Sequence, residues 1–135
     1  MEVSPTVAST LTVRILVVDD EEKLARFVCV LLKQMGYQAT PCRNVEEARR
    51  LLLSGPWNLV ITDLVIPYEN GFDLMRWVQS HYPTLPVVAM TAHSTEAVSH
   101  QINRFGFAAI LHKPFSIENF QQVIQRIGPT FLPLH

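Results

Sequence analysis

The chain has 135 residues, 48% hydrophobic and 17% charged, with a formal net charge of -1. That length allows one domain with a real core, since a chain of this size buries roughly two-thirds of the surface it exposes when unfolded, and it is too short for two. The near-neutral charge excludes a broad basic face, so no direct nucleic-acid contact is expected, and the longest apolar stretch, Phe27–Leu32, falls far short of the ~20 residues of a membrane span.

Residues 1–12 are rich in Ser, Thr and Pro without helical periodicity, and are expected to be a flexible leader. They lack the basic start and apolar stretch of a signal peptide, so nothing in them directs the chain out of the cytoplasm. From Val13, apolar β-branched runs alternate with amphipathic segments. The expected elements are strand Arg14–Val18, helix Glu21–Met35, strand Gln38–Cys42, helix Val45–Ser54 and strand Leu59–Thr62. Helix Phe72–His81, strand Pro86–Met90, helix Thr95–Phe105, strand Ala108–Leu111 and helix Ile117–Ile127 follow. Leu24, Val28, Leu31, Leu32 and Met35 make one helical stripe, and Ile117, Phe120, Val123, Ile124 and Ile127 another. Gly36 suits the end of the first helix, Asn44 with Glu47 a capped start of the second, Gly55-Pro56 its end, and Ser116 the cap of the last. Residues 128–135, with two prolines and no period, are expected to be a tail or the start of a linker, which leaves 13–127 as the domain. Cys29 and Cys42 have neither metal-ligand spacing nor a CxxC pattern and read as reduced, space-filling thiols.

The first, third and fourth strands are apolar throughout rather than alternating, as expected of strands covered on both faces. The second is more polar and is a candidate edge. Together these features predict an α/β fold, a doubly wound five-stranded parallel sheet of order 2-1-3-4-5, flavodoxin-like, with ligands outside the carboxyl ends of the strands.

Four of those ends carry residues suited to phosphoryl chemistry: Asp19-Asp20, Asp63, Thr91 and Lys113. Like charges ~4 Å apart repel by about 4 kcal/mol at an effective dielectric of 20, so three clustered carboxylates must protonate or hold a cation, and Mg²⁺ (or Mn²⁺) suits oxygen ligands beside phosphate. Asp63 is then a candidate nucleophile toward phosphorus, with Lys113 and Thr91 placed to pair with phosphoryl oxygens. Each residue alone has an ordinary structural explanation as a helix cap, turn residue, strand end or solvated charge. The coincidence of all four at separate strand ends is what argues for one site.

The segments LVVDDE, LVITDLVIPYENG, VVAMTAHS and ILHKPF make residues 13–127 resemble the receiver domains of bacterial two-component response regulators. The resemblance implies that Asp63 is phosphorylated by a sensor histidine kinase or a histidine phosphotransfer protein, and that an output domain or downstream protein reads the result. It implies Mg²⁺ ligation by Asp20, Asp63 and the main-chain carbonyl of Val65, with Asp19 helping through water. It also implies that Thr91 and Lys113 hold the phosphoryl group, that Lys113-Pro114 is cis, and that the 95–127 face serves output or dimerisation. Val65 and His93 would flank the phosphoryl group and tune its lifetime. Glu21 matches a common third acid, although a favourable charge at a helix start explains it equally well. The chain departs from the pattern at Ile110, where many receivers carry an aromatic switch residue, so that version of the readout is not expected.

Two other readings are weaker on the residues. A dehalogenase-type phosphatase wants a second aspartate two residues after the nucleophile, where this chain has Val65. A flavin or nucleotide module wants a phosphate-cradling first loop, whereas Asp19-Asp20-Glu21-Glu22 repels phosphate. A receiver-like docking module that works without phosphorylation is the remaining alternative, and it has no need of Asp20, Asp63, Thr91 and Lys113 together.

Overall fold

The computed structural model describes residues 12–93 and 95–132, so residues 1–11 of the expected leader and 133–135 of the expected tail lie outside it. Five strands, β1 (Arg14–Val18), β2 (Gln38–Cys42), β3 (Leu59–Asp63), β4 (Val87–Thr91) and β5 (Ala109–His112), alternate with five helices. The helices are α1 (Glu22–Gln34), α2 (Val45–Leu53), α3 (Gly71–His81), α4 (Glu96–Phe105) and α5 (Ile117–Phe131). All strand pairs are parallel, in the order β2-β1-β3-β4-β5.

The period of two along each strand divides the core. Ile15 and Val17 of β1, Ile61 of β3 and Met90 of β4 point to one face, against Val28 and Leu32 of α1 and Phe120 and Ile124 of α5. Leu16, Val18 and Val60 point to the other, against Ala48 and Leu52 of α2 and Leu74 and Val78 of α3. Covering both faces explains why β3 and β4 are buried at every position. A smaller cluster of Leu64, Ala89 and Ile102 seats α4, whose one fully buried residue is Ile102.

The expected edge, β2, is an edge. Its Pro41 is in register with Val17 of β1. Because the Gln38 N–H donates inward to Val13 O and the Cys42 carbonyl accepts from Asp19 N–H, residues 38, 40 and 42 face β1. Pro41 therefore faces away, where its missing N–H costs the sheet no hydrogen bond.

Local punctuation follows the sequence. Asn44 accepts from Glu47 N–H, Ser116 accepts from Asn119 N–H, and Gly36 follows α1 with a left-handed φ of +96°. One boundary is corrected: α5 runs through Gly128 and Pro129 to Phe131, where the sequence favours a break at Gly128. Phe131 is 4% exposed and meets the Tyr37 ring edge-on at 5.7 Å, and burial of that ring holds the final turn despite the proline. Among the described residues, no helix is long and apolar enough to cross a membrane.

Candidate functional site

The switch in strand order lies between β1 and β3, and the carboxyl ends of these two strands carry the acids. Asp19 follows β1 directly and is tied down on two sides. Its N–H donates to the Cys42 carbonyl at 3.0 Å, and its Oδ1 accepts from Glu21 N–H at 2.9 Å. Its side chain is fully buried. Asp20, next along, is exposed. Asp63 is the last residue of β3 and is 6% exposed, with Val65 N–H donating to its Oδ1 at 3.1 Å. One carboxylate oxygen from each of Asp19, Asp20 and Asp63 lies within 4.8 Å of the others. Clustered hard oxygens of this kind fit a divalent ion such as Mg²⁺.

Lys113 enters from the end of β5, held by its N–H on Thr91 O at 2.8 Å, and the Lys113-Pro114 bond is cis. Its ammonium lies 2.6 Å from Asp63 Oδ2, 2.9 Å from Asp19 Oδ2 and 3.1 Å from Glu21 Oε1. A side-chain cation therefore already offsets part of the repulsion among the acids. Burial pushes the Asp19 carboxyl above its ordinary value, outweighing the Glu21 N–H and the lysine, which pull it down. Burial works against the lysine charge, yet the hydrogen bonds to Asp63 and Asp19 prevail and raise its pKa, so the ammonium stays charged at neutral pH.

Thr91 ends β4 and is buried, but its hydroxyl is turned to its own loop, donating to His93 O at 3.0 Å and accepting from His93 N–H at 2.9 Å. His93 itself is exposed, as is Val65. Ile110 is half-buried against the Leu64–Ala89–Ile102 cluster. Phe72 and Phe107 pack against the same cluster, with Phe72 meeting Phe105 at 4.8 Å and Phe107 at 5.8 Å, both edge-on.

Two further residues contribute: Glu21, which the sequence offered only as a match to a common third acid, and Gly71, which was not singled out. Glu21 is the N-cap residue of α1 but makes no side-chain cap, and its carboxylate reaches Lys113 instead. Gly71, the first residue of α3, presses on the end of β3: a Cβ there would lie 2.5 Å from Asp63 O and 3.0 Å from Leu64 Cα. Its only signal is a glycine just after the Asn70 cap, eight residues past Asp63.

Comparison with known proteins agrees with this geometry. The chain is 31% identical over 109 residues to the response regulator protein PilR of Pseudomonas aeruginosa, covering 81% of this chain and 24% of that one. It is 32% identical over 112 residues to the DNA-binding transcriptional regulator NtrC of a Bradyrhizobium strain, covering 83% and 23%. The chain thus spans about a quarter of the length of these relatives. The non-phosphorylated HemR receiver domain of Leptospira biflexa superimposes with a TM-score of 0.83 at 28% identity, covering 92% of this chain and all of that one. The family model described as the response regulator receiver domain matches residues 15–125, and with the sheet order and the acid cluster beside Lys113 it places this chain in the receiver domain family of two-component response regulators.

Proposed function

We propose that Asp63 is the phosphoryl acceptor, taking its phosphoryl group from a phosphohistidine of a sensor kinase or histidine phosphotransfer protein. A carboxylate oxygen of Asp63 attacks phosphorus, the P–N bond breaks, the imidazole leaves, and an aspartyl phosphate forms. The observation that carries this reading is Lys113 Nζ at 2.6 Å from Asp63 Oδ2. An ammonium there is in position to pair with a phosphoryl oxygen. Asp19, Asp20, Asp63 and the Val65 carbonyl are the proposed Mg²⁺ (or Mn²⁺) ligands. When bound, the ion neutralises charge on the acids and the phosphoryl oxygens. Val65 N–H orients Asp63 through Oδ1, and buried Asp19 fixes Glu21 N–H and shares the lysine.

The domain has no other substrate in this reading, and what it catalyses is its own phosphorylation and dephosphorylation. Val65 and His93 flank the acceptor loop and the Thr91 loop, and replacing either is expected to change the dephosphorylation rate. The receiver unit runs from Val13 to the end of α5 and acts in the cytoplasm. Phosphorylation draws the Thr91 hydroxyl off His93 and shifts the population of the α4–β5–α5 face, residues 95–127, which meets an output domain, a downstream protein or a second copy. Incubation with acetyl phosphate and Mg²⁺, followed by intact-mass measurement, tests the assignment. One phosphoryl mass gained and lost in Asp63→Ala is expected. No gain favours a docking module that works without phosphorylation, and a gain that survives the substitution overturns the assignment to Asp63.

A further inference from the structure

We propose that Arg49 of α2 is a positioning residue for the phosphorylation site, and that its ion pair with Glu69 latches the β3–α3 loop so that the main-chain groups of Val65 stay over Asp63. This rests on Asp63 being the acceptor. The loop is anchored at its two ends by main-chain bonds, Leu64 N–H to Met90 O at 3.0 Å and Gly71 N–H to Leu64 O at 3.1 Å. Its outer turn, in contrast, is exposed. Tyr68 projects fully into solvent with a left-handed φ of +73°, which a bulky residue seldom adopts, and Glu69 N–H closes the turn on Pro67 O at 3.0 Å.

Ile66, next to Val65, is buried in the core beneath the first half of the loop, and Arg49 fastens the outer turn beyond it. The two terminal nitrogens of Arg49 reach the two oxygens of Glu69 at 2.8 and 2.5 Å, a paired-bond geometry that fixes the direction of the carboxylate as well as its distance. An exposed ion pair would contribute little, but these side chains are only 29% and 42% exposed. The Arg49 Nε is enclosed and without a partner among the described residues, so the guanidinium is seated against protein and does not swing in water. Glu69 lies four residues beyond Val65, whose N–H holds Asp63 Oδ1 at 3.1 Å and whose carbonyl is a proposed metal ligand. Fastening the far side of so short a loop limits how far Val65 can move.

The test uses the whole chain and three readouts: amide hydrogen exchange at Val65, Mn²⁺ affinity by paramagnetic titration, and phosphoryl lifetime after acetyl phosphate is removed. Arg49→Ala and Glu69→Ala are each expected to speed Val65 exchange and weaken Mn²⁺ binding about three- to tenfold, the range for loss of a partly exposed paired-bond contact. Both shorten or lengthen the phosphoryl lifetime in the same sense. The exchanged pair R49E/E69R restores the readouts, and Arg50→Ala, on an exposed neighbour, leaves them alone. Unchanged Val65 exchange in the single variants overturns the proposal, as does an increase spread evenly over the domain or one that persists in the exchanged pair. If the wild-type chain takes up no phosphoryl group, the reading of Asp63 fails, while Val65 exchange still decides the latch.

Discussion

Replacing Gly71 by alanine should loosen the fold and the acceptor site together. The added Cβ would sit 2.5 Å from the Asp63 carbonyl oxygen and 3.0 Å from Leu64 Cα, and these are main-chain atoms with no rotamer to escape into. The start of α3 cannot simply back away, because Gly71 N–H is bonded to Leu64 O. Overpacking of this kind costs about 1–3 kcal/mol and a weakened main-chain bond about 1 kcal/mol more, offset by roughly 0.5–1 kcal/mol from replacing glycine in a helix. The net loss is about 1–3.5 kcal/mol, or about 3–17 °C in melting temperature for a domain of this size. Thermal melts followed by circular dichroism read the stability, and acetyl phosphate uptake reads the site. Gly36 supplies the contrast. Nothing lies within 4 Å of its would-be Cβ, so Gly36→Asn should cost only the backbone strain of its left-handed φ, about 1 kcal/mol, and leave uptake unaltered, whereas Gly71→Asn should impair both. A Gly71→Ala protein that melts within about 1 °C of wild type, against the calculated loss, would refute the close approach to Asp63.

Lys113→Met should destabilise the metal-free protein at neutral pH by about 2–4 kcal/mol, somewhat under the usual cost of breaking a fully buried pair, because Lys113 is 11% exposed. The wild-type contribution is full below the unfolded lysine pKa and lost as pH rises through the raised folded value. Lys113 pulls the Asp19 carboxyl down, so without it that carboxyl is raised further, its protonation relieves the variant more than the wild type, and the gap should narrow as pH falls through the carboxylate range, as urea unfolding at several pH values will show. Burial pushes the Cys29 thiol up to about 11 and Cys42 up to about 12, so iodoacetamide at pH 8 should leave the native protein unlabelled and modify both thiols in urea, read by intact mass. Asn70 accepts from the N–H groups of Phe72 and Asp73 in a capping box, and Asn70→Ala should cost about 1 kcal/mol in the same unfolding assay, with Asn70→Asp close to neutral.

The sheet was legible because its evidence is local. Runs such as RILVV and NLVIT are β-branched and apolar without alternation, which only a strand covered on both faces needs. The meeting of Asp19, Asp63 and Lys113 was legible because the order of the strands places their ends together, with Thr91 ending the strand between β3 and β5. What escaped the sequence depends on approach between distant segments. The Glu21 carboxylate looks like a helix-start charge until β5 delivers Lys113 beside it, and Gly71 looks like an ordinary helix-start glycine until the Asp63 carbonyl is found against it. Arg49 carries no motif, and Glu69, although inside the LVITDLVIPYENG segment, has no visible partner there. The extension of α5 escaped for a related reason: local preference stops at Gly128-Pro129, and the burial of Phe131 overrides it.

Pro41 bears on how this chain avoids unwanted partners. An edge strand offers a row of free N–H and C=O groups on which another chain can add itself, the first step toward swapped dimers and fibrils. Of the two outward positions in β2, Ala39 keeps an N–H and Pro41 has none, so an incoming strand would find no continuous ladder to grow along. Growth of the sheet is thereby stopped at β2, and association on that side is left to side-chain surfaces, where a signal can make it conditional.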